Sequence, residues 1–255
     1  MELLTRLRTD LGDLYTIERE LGGGGMSRVF AATDRQLGRP VVIKLLAQEV
    51  AASLSGNRFE REIRLAASLQ QANIVPLLTA GLVDGVPYYT MPFVEGESLR
   101  LRLAAGPLAE AQVIHVLRDV ARALAYAHER GVVHRDIKPD NILLSGEAAV
   151  VTDFGIAKAI VDAQAAPAAG STGVLTQMGT AIGTPAYMAP EQASADPGMD
   201  HRADLYALGC TAYELLAGVP PFHGKPAHKL LVAHLTEEPP ALASVRPGEI
   251  GRAHV

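Results

Sequence analysis

His134-Arg135-Asp136-Ile137-Lys138-Pro139-Asp140-Asn141 is the stretch on which the reading of this chain turns. It holds a carboxylate able to accept a proton, a fixed cation and an amide able to ligate a hard metal. That set is what moving a phosphoryl group onto a hydroxyl requires. Val132-Val133 leads into it and Ile142-Leu143-Leu144 leaves it. Gly146 then turns the chain into a strand over 149–152 that ends in Asp153-Phe154-Gly155. This hairpin is expected to bring Asn141 and Asp153 close enough to share a divalent metal, an arrangement hard to explain by packing alone.

Composition bounds what such a stretch could serve. With 255 residues, 48% apolar and 20% charged, the chain can bury a sizeable core in one large domain or two lobes. A net charge of −5 argues against nucleic-acid binding, which needs a surplus of Lys and Arg. The single cysteine, Cys210, excludes an internal disulfide and a cysteine-built zinc site, and fits a cytoplasmic location. The opening residues alternate apolar and charged side chains, as a short amphipathic helix does and a signal peptide does not. The longest uncharged run, 163–196, is broken by Pro, Gly, Ser and Thr, so no membrane segment is expected.

Upstream of the opening stretch the pattern is mostly strands. Residues 15–21 and 29–33 read as strands joined by Gly22-Gly23-Gly24-Gly25-Met26-Ser27-Arg28. Such a glycine run could lay backbone N–H groups against phosphate oxygens, or be only a flexible hairpin turn. It lacks the Gly-Lys-Ser/Thr ending of a Walker loop, and a strand follows it rather than a helix. The strand over 40–46 is apolar except for Lys44, which must be paired or face a cleft. A helix over 55–70 carries Phe59, Ile63, Ala66 and Leu69 on one face, with Glu62 at its edge, placed to meet Lys44. Strands over 74–80 and 86–91 flank the turn dipeptide Asp84-Gly85. Pro92-Phe93-Val94-Glu95-Gly96 then reads as an extended linker where composition shifts from strands to helices.

Beyond the linker, helices are expected over 97–105 and 107–130, the second carrying Val113, Leu117, Val120, Leu124 and Ala127 and stopping at Gly131. His115 and His128 read as ordinary packing or surface residues. A helix opening at Asp204 should end at Pro220-Pro221-Phe222, and one more helix should span 225–235.

Taken together, these features resemble a Hanks-type protein kinase, closest to the bacterial serine/threonine kinases. The family's motifs occur in order as the 22–29 loop, Val41-Val42-Ile43-Lys44, Glu62, the 134–141 loop, Asp153-Phe154-Gly155 and Ala189-Pro190-Glu191. The resemblance covers roughly 15–240 and implies an α+β, bilobal fold. Its N-lobe would be an antiparallel sheet with one main helix, and its C-lobe would be mostly helical. By similarity Asp136 would orient and deprotonate the acceptor hydroxyl, and Lys138 would neutralise charge on the transferred phosphoryl group. Asn141 and Asp153 would hold Mg²⁺, with Mn²⁺ as the alternative, while Lys44, steadied by Glu62, would grip the α- and β-phosphates of ATP. Leu21 and the loop from Gly22 through Gly23, Gly24, Gly25, Met26 and Ser27 to Val29 would cover the nucleotide. Adenine would sit between the lobes on the Pro92 carbonyl and the Val94 amide, with Val42 lining the slot, Met91 behind it and Leu143 as its floor. Phe154, Gly155, Glu191 and Asp204 would be structural, Asp204 bracing the backbone of the catalytic loop.

The chain departs from the family in two places within the nucleotide site. Ser27 replaces the third glycine of the flap and should stiffen its tip. Val42 stands where alanine is usual and should narrow the adenine slot, altering inhibitor fit rather than abolishing binding. Lys138, two residues after Asp136, and Thr184 in Gly183-Thr184-Pro185-Ala186-Tyr187 resemble serine/threonine rather than tyrosine kinases. The activation segment would span 156–188, with a mobile Ala/Pro/Gly-rich middle over 163–173. Phosphorylation of Thr176 or Thr180 in trans, by a second copy, would add about −1.5 to −2 charges and recruit Arg135 and Lys158.

These readings divide the chain into a leader helix (1–14), an N-lobe (15–91), a hinge (92–96) and a C-lobe (97–248). The C-lobe is expected to be truncated, lacking the arginine that family members pair with the residue equivalent to Glu191. Losing such a buried pair costs about 3–5 kcal/mol. Residues 249–255, Glu249-Ile250-Gly251-Arg252-Ala253-His254-Val255, read like a translated sequencing adapter and are expected to be a non-native tail. A full-length parent would carry what is missing, a membrane anchor included. The expected function is ATP-dependent phosphorylation of Ser/Thr hydroxyls on proteins, with homodimerisation as a further expectation. The alternatives are a nucleotide-binding but impaired fragment or pseudokinase scaffold, and a small-molecule phosphotransferase. Against the latter, Ala189-Pro190-Glu191 and Thr184 imply a peptide platform.

Overall fold

A computed structural model describes residues 2–24, 27–48, 51, 56–154 and 185–245. The expected Gly25, Met26, Gly155, Thr176, Thr180 and Thr184, the segment from 156 to 184 and the tail over 249–255 lie outside the described residues. Two compact units result, the division between them falling after Glu95.

The first unit is built on an antiparallel five-stranded sheet in the order β1-β2-β3-β5-β4. Its strands are β1 (Tyr15–Gly24), β2 (Ser27–Asp34), β3 (Arg39–Leu46), β4 (Thr79–Val83) and β5 (Val86–Pro92). Two helices flank it: α1 (Glu2–Leu11) and α2 (Gly56–Ala67). Side chains alternate across a pleated sheet, so β3 serves two cores at once. Val41, Ile43 and Leu45 join Leu7 and Leu11 of α1, Phe30 and Val83 on one side. Val42 and Leu46 join Phe59 and Ile63 of α2, Tyr89 and Met91 on the other. The leader helix is therefore part of this unit's core.

Three expectations for this unit need correction. The glycine run is not a loop over 22–28: β1 continues to Gly24, pairing Gly22 with Val29, Gly23 with Arg28 and Gly24 with Ser27. Low strand propensity marked these residues as loop, but the ladder of the neighbouring strand extends through them. The strand expected over 74–80 begins only at Thr79. Pro76 precedes it and has no N–H to contribute to a ladder. Pro92 closes β5 opposite Val41 instead of opening the linker. The Asp84-Gly85 turn is as read, with φ of 53° and 75°, the paired positive values a two-residue hairpin loop demands.

The second unit starts at Gly96, whose φ of 144° and whose closeness to Leu144 leave no room for a side chain: a Cβ there would lie 1.9 Å from the Leu144 carbonyl oxygen. That approach lets β6 (Glu97–Ser98) pair with β7 (Ile142–Ser145), which pairs in turn with β8 (Ala148–Val151). The helix expected over 97–105 is thus shortened to α3 (Leu99–Ala104), because Ser98 accepts from the Leu101 N–H and caps it. α4 (Glu110–His128) starts later than expected, closed by Gln112 accepting from the Ala109 N–H. It ends in a Schellman motif, Gly131 N–H to His128 O and Val132 N–H to Ala127 O. Val116, rather than Leu117, joins its buried stripe. The remaining helices are α5 (Pro190–Ala193), α6 (Arg202–Ala217), α7 (Ala227–Thr236) and α8 (Leu242–Val245). Left-handed Gly218 ends α6 ahead of the two prolines, and α8 was not anticipated.

Candidate active site

Within the second unit the 134–141 stretch is a loop between α4 and β7, pinned by buried Ile137 and closed by a 3-10 turn over Pro139–Asn141. Asp136 sits at its centre. Lys138 Nζ lies 2.8 Å from Asp136 Oδ2. The Asn141 amide nitrogen donates to the Asp136 carbonyl at 2.8 Å and to Oδ2 at 3.0 Å. A carboxylate held by two side chains from its own loop has few rotamers left, which is what a proton acceptor of fixed aim needs.

The loop's backbone is braced from α6. Asp204, fully buried, accepts from the N–H of His134 at 2.8 Å and of Arg135 at 2.7 Å. His128 Nε2 donates to the same carboxylate at 2.8 Å. His128 is therefore not an ordinary packing or surface residue: it helps satisfy a buried charge that would be costly alone. His115 lies on the same helix with its ring 3.3 Å from Asp119, a carboxylate that also accepts from the Ala149 N–H.

His134 ties this loop to the segment that follows β8 and carries Asp153. Its Nε2 donates to the Thr152 carbonyl at 2.9 Å, while Nδ1 accepts from the Asp136 N–H at 3.2 Å. That pattern requires the neutral ring, and complete burial pushes the imidazole below its ordinary value in the same direction. Phe154 packs against the ring with centroids 4.7 Å apart. The Thr152 N–H also bonds to the Asn141 carbonyl at 3.0 Å, so Asn141 and Asp153 leave paired ends of one hairpin. Arg135 and Asp153 both adopt left-handed backbone, φ 67° and 64°. Such residues cost of order 1–3 kcal/mol each and persist where the surroundings over-determine them.

This donor set suits a hard divalent cation. The Asn141 amide nitrogen is committed to Asp136, which leaves the side-chain carbonyl oxygen of Asn141 as the end that could meet a metal. Among the described residues no three His, Cys, Asp or Glu side chains cluster to hold a metal unaided. Mg²⁺ commonly takes one or two protein oxygens and completes its shell with phosphate and water.

A partly buried network that the sequence did not announce adjoins the loop. Arg100 of α3 donates to Glu214 of α6 at 2.6 Å, to Asp140 at 3.2 Å and to the Tyr187 hydroxyl, which itself donates to Glu214. Burial and the Glu214 carboxylate both push the Tyr187 phenol up. Gln192 of α5 donates to the Arg135 carbonyl at 2.9 Å.

The other expected residues belong to the first unit, Leu143 of β7 excepted. Lys44 is half-buried on the sheet face covered by α2, between Val42 and Leu46. Glu62 lies on α2 one turn from Phe59 and Ala66, the residues turned to that face. Met91 is buried in the same cluster, while Pro92 and Val94 are half-buried. Leu21 is exposed, Val29 half-buried and Ser27 buried.

Comparison with known proteins covers almost the whole of this architecture. A family model described as the protein kinase domain matches residues 15–245. A probable serine/threonine-protein kinase of Corynebacterium efficiens is 40% identical over 236 residues, 90% of this chain and 34% of that protein. The serine/threonine-protein kinase PknJ of Mycobacterium tuberculosis is 42% identical over 242 residues, 92% of this chain and 39% of that one. The chain thus spans between a third and two fifths of the length of these relatives. Among solved structures, the PknI kinase domain of M. tuberculosis superposes with a TM-score of 0.69 at 31% identity, covering 92% of this chain and 83% of that one.

Proposed function

Since the chain belongs to the protein kinase family, we propose that it transfers the γ-phosphoryl group of ATP to serine and threonine hydroxyls of proteins. The observation that carries this reading is the Asp136 carboxylate, held by Lys138 and Asn141 on a loop whose backbone is fixed by Asp204. The acceptor hydroxyl oxygen forms a bond to the γ-phosphorus as the bond to the β,γ-bridging oxygen breaks and ADP leaves. The hydroxyl proton passes to Asp136, a contribution of about 10²–10⁴-fold for general base catalysis. Lys138 balances the charge that develops on the transferred group. Asn141 and Asp153 would hold Mg²⁺, or Mn²⁺ in its place, which screens the phosphate oxygens.

The first unit's share of ATP binding rests on motif position: Lys44 and Glu62, the paired glycines of β1, and Met91, Pro92 and Val94. Phosphorylation of Thr176 or Thr180 by a second copy belongs to the same proposal. So do protein substrates with Ser/Thr acceptors and pairing of two chains. No helix among the described residues is long and apolar enough to cross a membrane.

Incubation with radiolabelled ATP, Mg²⁺ and a Ser/Thr-rich acceptor protein tests the reading. Label is expected on Ser/Thr of the acceptor, and Asp136→Asn should reduce it by about 10²-fold or more. Nucleotide binding without transfer by the unaltered chain would overturn it.

A further inference from the structure

Gln192 has been given no role so far, yet its side chain makes two directed bonds to backbone, one at the start of its own helix and one far away in sequence. Its Oε1 accepts from the Ala189 N–H at 3.1 Å. Its Nε2 donates to the Arg135 carbonyl at 2.9 Å, across 57 residues of sequence. Because one end must accept and the other donate, the amide has only one orientation that satisfies both.

The significance lies in the peptide that Gln192 grips. The Arg135 carbonyl and the Asp136 N–H share one rigid plane. Gln192 holds the oxygen of that plane and His134 Nδ1 accepts from its N–H at 3.2 Å. Both edges of the peptide that enters Asp136 are therefore fixed by side chains, and with them the direction in which the Asp136 carboxylate leaves the backbone. On the other side of Arg135, whose left-handed φ is 67°, the N–H is held by Asp204 at 2.7 Å. Asp204 and Gln192 thus clamp Arg135 from α6 and α5 respectively.

We propose that Gln192 is a positioning residue for phosphoryl transfer: it aims the general base Asp136 through the Arg135 carbonyl, and couples the segment from Pro185 to Ala193 to that base. The proposal rests on the kinase reading. A shift of that segment would be passed to Asp136 by one amide bond, without any change in the residues that touch substrate.

Two substitutions in the full chain test this. Gln192→Leu keeps the bulk and removes both bonds. Its kcat should fall about tenfold or more, since misplacement of a reacting group by 1 Å can cost 10²-fold, while KM for Mg-ATP stays within about twofold. Hydrogen exchange of the amides over 133–138 should accelerate, with other segments unchanged. Gln192→Glu keeps the acceptor for Ala189 but opposes a carboxylate to the Arg135 carbonyl. Once protonated it can donate again, so its kcat relative to the unaltered chain should rise from pH 8 to pH 5.5, towards the ordinary Glu value of about 4.3. Unaltered kcat and exchange in Gln192→Leu would overturn the proposal, as would a pH-independent ratio in Gln192→Glu should the Leu variant fail to fold. If the unaltered chain transfers no phosphoryl group, the kinase reading falls, and the exchange comparison alone still decides whether Gln192 holds the loop.

Discussion

The side-chain amide of Asn141 donates to both the carbonyl and the carboxylate of Asp136, at 2.8 and 3.0 Å. One residue thus fixes the Asp136 carboxylate and, on the proposed reading, would also offer its own side-chain oxygen to a metal. Asn141→Asp separates the two roles: it keeps a hard oxygen but sets a second carboxylate against Asp136. Like charges at this range raise the pKa of the pair. The acid limb of the kcat profile should move up by about one pH unit, and the maximal rate should fall. An unshifted limb in steady-state kinetics would show that the contact does not govern the base.

Stability should decline in mild acid because His134 is buried neutral. Burial lowers its folded-state pKa, so the unfolded chain binds a proton first as pH falls. Its contribution is full above the unfolded value of about 6.5 and is lost below it at up to about 1.4 kcal/mol per pH unit. His234, lowered by burial too, acts in the same sense. Urea unfolding between pH 7.5 and pH 5 should show this slope, and His134→Gln, which keeps a donor but does not titrate, should flatten it.

Glu214→Ala should destabilise the second unit by about 2–3 kcal/mol, less than the ~3–5 kcal/mol of a fully buried pair, because the Arg100 side chain is 37% exposed. Glu214→Gln should cost less, since its carbonyl can still accept from Arg100 or Tyr187. Denaturant titration of the two variants checks the order.

Cys210 should be inert in the folded chain. Burial pushes its thiol up to about 12. Alkylation at pH 8 should be at least about 10³-fold slower than in denaturant, where the thiolate forms freely. Rapid labelling of the native chain would contradict its placement inside α6.

What the sequence revealed and what it concealed follow from how local each feature is. Asp136, Lys138 and Asn141 fall within one turn of chain, and Asp153 follows across a tight hairpin, so their association could be read without a fold. The single charge of Lys44 in an otherwise apolar strand likewise marked it as paired or facing a cleft. Arg100, Tyr187 and Glu214 leave no such trace, because their contacts span 87 and 114 residues and no periodicity marks them. Gln192 and His128 were hidden for the same reason. Their partners are backbone groups and a buried carboxylate brought near only by the packing of α4, α5 and α6. The strand pairing through Gly24 escaped because glycine propensity describes an isolated residue, whereas the ladder is imposed by the strand beside it.

Kinship and cooperativity draw different borders around the first unit. The family match begins at residue 15, yet Leu7 and Leu11 of α1 are buried against Ile17, Val41 and Val83. Trimming the chain to its homologous part would strip two leucines, each worth about 1.5–3 kcal/mol of burial, and leave a bare apolar sheet face open to water. Such a shortened protein should express as aggregate, although every motif by which its relatives are recognised would still be present.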